Sequence, residues 1–174
     1  MKKVLMGLTL IVAFVALVVG AAAPPDLAGT WELDKTKSQN LPRPWQGADS
    51  VILTISQNEK QVTLETKVTG GQPPGGGRGF GGGTMGPTVY NLDGTETTAE
   101  SERGKSSSKA GWSKDGNTLE LTVKRTFNTP NGEVTATTTE KLTLSADGKV
   151  LTNVRHTESP RGPQDSTLVY NKKS

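Results

Sequence analysis

Arg125, Thr138, Glu140 and His156 are the side chains of this chain whose types and spacing suggest a shared site. All four fall on alternating segments in the last third of the sequence. If Asn131-Gly132 forms a two-residue turn, Arg125 sits opposite Thr138 and Glu140 is its diagonal neighbour. If Ala146-Asp147-Gly148 forms a three-residue loop, Leu144 meets Val150, Leu142 meets Thr152, Glu140 meets Val154 and Thr138 meets His156. This register pairs apolar with apolar, which supports it. The chemistry on offer is recognition: inward polar groups orient the carboxylate or hydroxyl of a ligand. The plainer alternative is that the strands overrun the core and the cluster stands in solvent. It would then be a surface ion pair worth about 0 to 1 kcal/mol. Trp45, set between Pro44 and Gly47, is expected to cap one end of the fold or to dock a partner.

Catalysis finds little support. His156 is the single histidine and there is no cysteine, so multi-His metal sites and thiol chemistry are excluded. A Ser-His-Asp triad would have to use His156. Ser107, Ser166 and the other serines lack a Gly-x-Ser-x-Gly elbow. The Gly-rich stretch is not followed by Gly-Lys-Ser/Thr and opens no helix, so it cradles no phosphate. The spacing of a calcium loop is absent. No catalytic residue, metal or cofactor is expected.

The elements that must position these residues begin after a leader. Lys2 and Lys3 precede the apolar run Val4 to Val19, and Ala21-Ala22-Ala23 follow. This is the order of a secretory signal. Residues 1–22 are assigned to it, with cleavage after Ala21 or Ala22, and the mature chain is expected in the periplasm or secreted. An uncleaved anchor is the alternative, because 4–23 could just span a bilayer; contact with a membrane is expected only through that leader. Lys2 and Lys3 leave with it, so 20 basic residues become 18 against 17 acidic ones and the net charge falls from +3 to +1. A nearly neutral domain lacks the footprint of a nucleic-acid binder.

Residues 23–174 read as one all-β domain. Short alternating runs rich in Thr and Val are separated by Gly, Asn and Asp turns. Strands are expected at 29–33, 51–55, 61–68, 89–93, 95–102, 105–113, 117–127, 133–145, 149–158 and 165–172. Trp31 and Trp112 read as core. Segment 70–87 holds two Gly-Gly-Gly runs and Pro73-Pro74 and reads as a flexible loop; Gly77-Arg78-Gly79-Phe80-Gly81 within it reads as spacer. The result is an antiparallel meander of about 8–10 strands. Closure into a barrel removes its edges, through a strand at Trp31 pairing with the strand at Leu168 to Tyr170. A β-sandwich is the alternative.

Gly29-Thr30-Trp31, the following Leu33-Asp34 with Lys37-Ser38, and Leu168-Val169-Tyr170 resemble the lipocalin-like group of exported bacterial β-barrel domains. The resemblance implies that Trp31 packs across the barrel base under a basic side chain of the last strand, for which Lys172 stands nearest. It implies a barrel that binds a small apolar or amphipathic molecule, and it implies no reaction. The competing reading is a cell-envelope interaction module that binds protein or polymer through its sheet surface and loops, with the outward Thr rows as a flat polar face. The mass of the protein taken from its own source is expected to match a chain starting at Ala22 or Ala23. A mass that retains the leader would establish the anchor.

Overall fold

The computed structural model describes residues 23–70, 85–101, 104–129 and 132–173. The leader and the Gly-Arg-Gly-Phe spacer lie outside these residues. Ten strands follow in order: β1 (Gly29–Leu33), β2 (Ser50–Gln57), β3 (Gln61–Thr69), β4 (Met85–Asn91), β5 (Thr97–Ser101), β6 (Gly104–Trp112), β7 (Thr118–Thr129), β8 (Gly132–Leu144), β9 (Val150–Glu158) and β10 (Gln164–Lys172). A single helical turn, α1 (Arg43–Gln46), interrupts the connection from β1 to β2. The strands form one antiparallel sheet in the order β4-β3-β2-β1-β10-β9-β8-β7-β6-β5. It is a meander that curls into a nearly closed barrel, and the sandwich alternative is set aside.

Closure runs through β1, as the alternation of Trp31 and Leu33 implies. Trp31 pairs with Lys172 and Leu33 with Tyr170 on one side, while Trp31 pairs with Leu53 on the other. The seam lies elsewhere, between β4 and β5, where no ladder forms. Side chains bridge it instead. Ser108 Oγ reaches Val89 O at 3.1 Å and Thr97 O at 3.4 Å, and Asn91 Nδ2 donates to Thr97 Oγ1 at 3.1 Å. As the edge strand, β4 tolerates Pro87, whose missing N–H would break a central ladder. Met85, Gly86 and Pro87 therefore belong to a strand and not to the loop expected at 70–87.

The pentapeptide Asp34 to Ser38 after β1 is a clasp on the last strand. Asp34 Oδ1 accepts from Thr36 Oγ1 at 2.6 Å and from Thr36 N at 3.1 Å. Its Oδ2 accepts from Asn171 Nδ2 at 3.2 Å and faces Lys37 Nζ at 3.2 Å. The Thr36 hydroxyl bond, ahead of the Asn171 and Lys37 bonds, holds the Asp34 carboxyl well below the usual carboxylate range. Ser38 Oγ donates to Asp34 O and accepts from Val169 N at 2.9 Å. The residues Leu33-Asp34 and Lys37-Ser38 thus tie the strand ends together across the closure.

The base of the barrel is apolar. Leu27, Trp31, Leu119, Leu142 and Leu151 are all 0% exposed. Trp31 Nε1 donates to Leu27 O at 3.0 Å, which satisfies the indole inside the core. Lys172 Nζ stands 5.1 Å from the Trp31 ring centre, as the resemblance implies. Gly29 makes room for this: a Cβ there would sit 3.1 Å from Lys172 Cε, and its φ is 141°. Replacing Trp31 by Ala is expected to cost about 3–5 kcal/mol through the cavity left behind. Lys172→Met is expected to cost only about 0.5–1 kcal/mol, the worth of an exposed cation over a ring. Urea unfolding of both variants measures this, and similar small losses would show that the ring does not hold the base.

Candidate functional site

Above the apolar base, the inward faces of β7, β8 and β9 turn polar. On β8 the inward series runs Leu142, Glu140, Thr138; on β7 it runs Leu121, Val123, Arg125; on β9 it runs Leu151, Asn153, Arg155. The pleat dictates this, since alternate residues share a face. Glu140 pairs directly with Arg155. Arg155 Nε lies 3.8 Å from Glu140 Oε1, and each side chain is 18% exposed. Asn153 Nδ2 donates to Glu140 Oε2 at 2.6 Å. Thr138 Oγ1 bonds Thr157 Oγ1 at 3.1 Å.

These groups line a cavity walled elsewhere by Leu53, Leu64, Val123 and Leu168, with Tyr90, Tyr170 and Trp45 also facing it. The cavity volume is about 50 Å³, and the cavity opens to solvent. Trp45 is 8% exposed and is carried by α1. Burial pushes both tyrosine phenols well above their ordinary range, and the Glu140 charge adds to it, with Arg155 opposing. Both phenols therefore stay neutral and can donate.

Of the residues read from the sequence, Arg125, Thr138, Glu140 and Trp45 line this one cavity; His156 does not. Two turns differ from expectation. The β7–β8 ladder closes with Thr129 opposite Gly132, so Arg125 faces Ala136 and Val123 faces Thr138. That is a shift of two residues, which keeps every inward side chain inward. The β8–β9 connection is longer by one: Ser145 N donates to Val150 O at 2.8 Å, which leaves four residues in the loop. Leu144 meets Leu151, Glu140 meets Arg155 and Thr139 meets His156. A shift of one residue exchanges the faces of the strand. His156 and Val154 therefore go outward, Val154 to 50% exposure, while Asn153 and Arg155 go in. The same shift makes Arg155 a lining residue of the cavity, with its side chain 18% exposed.

A signal for this register was present. Ser145-Ala146-Asp147-Gly148 repeats the pattern of Ser113-Lys114-Asp115-Gly116. In both, the Ser hydroxyl donates to the Asp carboxylate and accepts from the amide five residues on, at 2.9 Å for Val150 and 3.0 Å for Thr118. In both, the Gly N–H donates to the Ser carbonyl, at 2.9 and 2.8 Å. The Asp carboxyls are held below their usual range, first by the Ser bond. Ser-x-Asp-Gly thus specifies a four-residue loop in both the β6–β7 and the β8–β9 connections.

No family model matches the chain, and no curated protein matches it. Among solved structures it is similar to a zebrafish ileal bile acid-binding protein complexed with cholic acid. The identity is 14%, the match covers 84% of this chain and 98% of that one, and the TM-score is 0.47.

On the outer face His156 Nδ1 lies 2.6 Å from Asp165 Oδ1, with Glu158 Oε1 3.6 Å from Nε2. The Asp165 bond, helped by the charges of Asp165 and Glu158, raises the His156 pKa. A raised folded pKa means that the pair's contribution is complete below about pH 6.5, the unfolded value, and is lost as pH rises through the folded one. An NMR titration is expected to place wild-type His156 above 6.5 and to move it down in Asp165→Asn. Equal values in the two proteins would show that the pair does not form.

Proposed function

We propose that this chain is an exported lipocalin-like barrel that binds a small apolar or amphipathic molecule, polar end innermost, without catalysis. The observation that carries the reading is the Glu140–Arg155 pair, with Asn153 beside it, among the apolar walls of a barrel interior. Burying such a pair is a poor way to gain stability, since apolar replacements are often neutral or stabilising by about 1–4 kcal/mol. Apolar walls with a few convergent polar groups are what small-molecule sites require. Export rests on the order Lys2-Lys3, Val4 to Val19, Ala21 to Ala23. The absence of catalysis rests on the lone His156, which faces outward.

The enclosed volume favours a second reading. About 50 Å³ is far below the few hundred cubic ångströms of a carrier pocket. A filled barrel would suit an envelope module that docks protein or polymer on its outer face. There the Thr rows of β7 and β8 lie flat, with Thr126 and Thr135 bonded at 3.1 Å and Thr118 and Thr143 at 3.3 Å. The carrier reading is kept because polar groups converge on the space that remains and it opens to solvent.

Titration with Nile red, a neutral amphipathic dye, separates the two. Thr138→Trp is expected to fill the enclosed space and abolish binding. Arg125→Ala is expected to weaken it about tenfold, the worth of a charge-assisted hydrogen bond. Circular dichroism should show both variants folded. Native mass spectrometry of the protein from its source should show a reproducible small-molecule increment. Unchanged dye affinity in both variants, with no increment, would move the function to the interaction module.

A further inference from the structure

Two buried polar atoms of β9 have no hydrogen-bond partner among the described residues: Asn153 Oδ1 and Arg155 Nε. Asn153 is 3% exposed, and both residues line the cavity. Two apart on one strand, they share a face, and their backbones stand about 6–7 Å apart. More than nine in ten buried polar groups in native proteins are satisfied, so two orphans on residues that line one small space ask for an explanation. Their neighbours are already committed. Asn153 Nδ2 donates to Glu140 Oε2. Glu140 Oε1 faces the Arg155 charge, but at 3.8 Å it is too far from Nε to accept its hydrogen. One acceptor and one donor remain.

The chemistry of the missing group follows from this pair. A hydroxyl oxygen accepts from an N–H and donates its own hydrogen, so it is the smallest group that matches one donor and one acceptor. A carboxylate only accepts. It would leave Asn153 Oδ1 unmet. An ether accepts from Arg155 and offers Asn153 nothing. A carboxamide offers the same two functions but through two atoms, where the hydroxyl uses one. We propose that the innermost group of the ligand is an alcohol hydroxyl, donating to Asn153 Oδ1 and accepting from Arg155 Nε, and that the ligand is an uncharged hydroxylated amphiphile. This rests on the barrel-binding reading above and names its ligand class. The apolar remainder lies against Leu53, Leu64, Val123 and Leu168.

Three probes of one chain length test it by calorimetry on the mature protein: octan-1-ol, 1-methoxyoctane and octanoate. Octan-1-ol is expected to bind about tenfold tighter than 1-methoxyoctane, which cannot donate, and tighter than octanoate. In Asn153→Leu, nearly isosteric and without the acceptor, the alcohol's advantage over the ether should fall within about twofold. Equal binding of alcohol and ether by the wild type would mean that water serves the two atoms, and would overturn the proposal. Tighter binding of octanoate would overturn it in favour of an acid. If Nile red binds and none of the octyl probes does, the hydroxyl assignment falls and the barrel reading stands. If neither dye nor probes bind, both fall. The comparison within the wild type needs no variant to fold.

Discussion

Trp31 is the contact on which the rest of this barrel depends. A meander of ten strands closes only if its first strand finds its last, and the two lie some 140 positions apart in the chain. Trp31 sits on β1 between β2 and β10, fully buried, with its indole N–H taken by Leu27 O. Lys172 covers the ring from β10, and Gly29 leaves space for that side chain. A large ring buried at the base joins both ends of the chain to the same core. The Asp34 clasp then fixes the register at the other end of β1 by satisfying backbone and side-chain groups of β10. Every inward-facing residue inherits its position from this closure, because all ten strands hang on it through neighbouring ladders.

Closure there moves the weak line of the wall to the other side. Between β4 and β5 the ladder is replaced by a few side-chain bonds from Ser108 and Asn91. Such bonds are worth about 0.5–1.5 kcal/mol each, against a continuous ladder elsewhere. Ser108 is 6% exposed, so its hydroxyl is a buried substitute for the missing strand contact and not a surface ornament. Tyr90, on the edge strand β4, lines the cavity, which puts the least supported strand of the wall directly against the site.

Much of this was legible in the amino-acid sequence, for a physical reason. Alternation reports which residues share a face, and it placed Leu119, Leu121, Val123 and Arg125 inward together, as it did Thr138, Glu140 and Leu142. Alternation does not report which face meets which across a turn. That depends on loop length, and the side-chain period of two makes an error of one residue total while an error of two does no harm. Arg125 survives a two-residue shift as an inward residue. His156 is lost to a one-residue shift, and Arg155 and Asn153 are gained. Pairing apolar with apolar favoured the wrong register, because Val150, Thr152 and Val154 make as good an apolar row as Leu151 and Asn153. The hydrogen bonds of the Ser-x-Asp-Gly loop decided it, since the Ser hydroxyl and carbonyl fix the closing pair at Ser145 and Val150. Tyr90 and Tyr170 were missed as site residues because an aromatic on a strand reads as core.

The level at which the charged pair sits follows from the cost of desolvation. At the base, where Leu119, Leu142 and Leu151 have no exposure, an ion pair would lose nearly all hydration and its mutual attraction would rarely repay that. At the rim, water would screen it and it would organise nothing. Glu140 and Arg155 lie between, each 18% exposed. There, part of their hydration is kept while the surrounding wall still strengthens their fields. Asn153 lies one step deeper on the same face and is 3% exposed. The amide is the group that can go deeper, since it carries no net charge and one of its two polar ends is already held by Glu140. Polarity in this interior therefore falls with depth in the order charge, amide, hydrocarbon, and the amide's open acceptor stands where charge has ended and the apolar base begins.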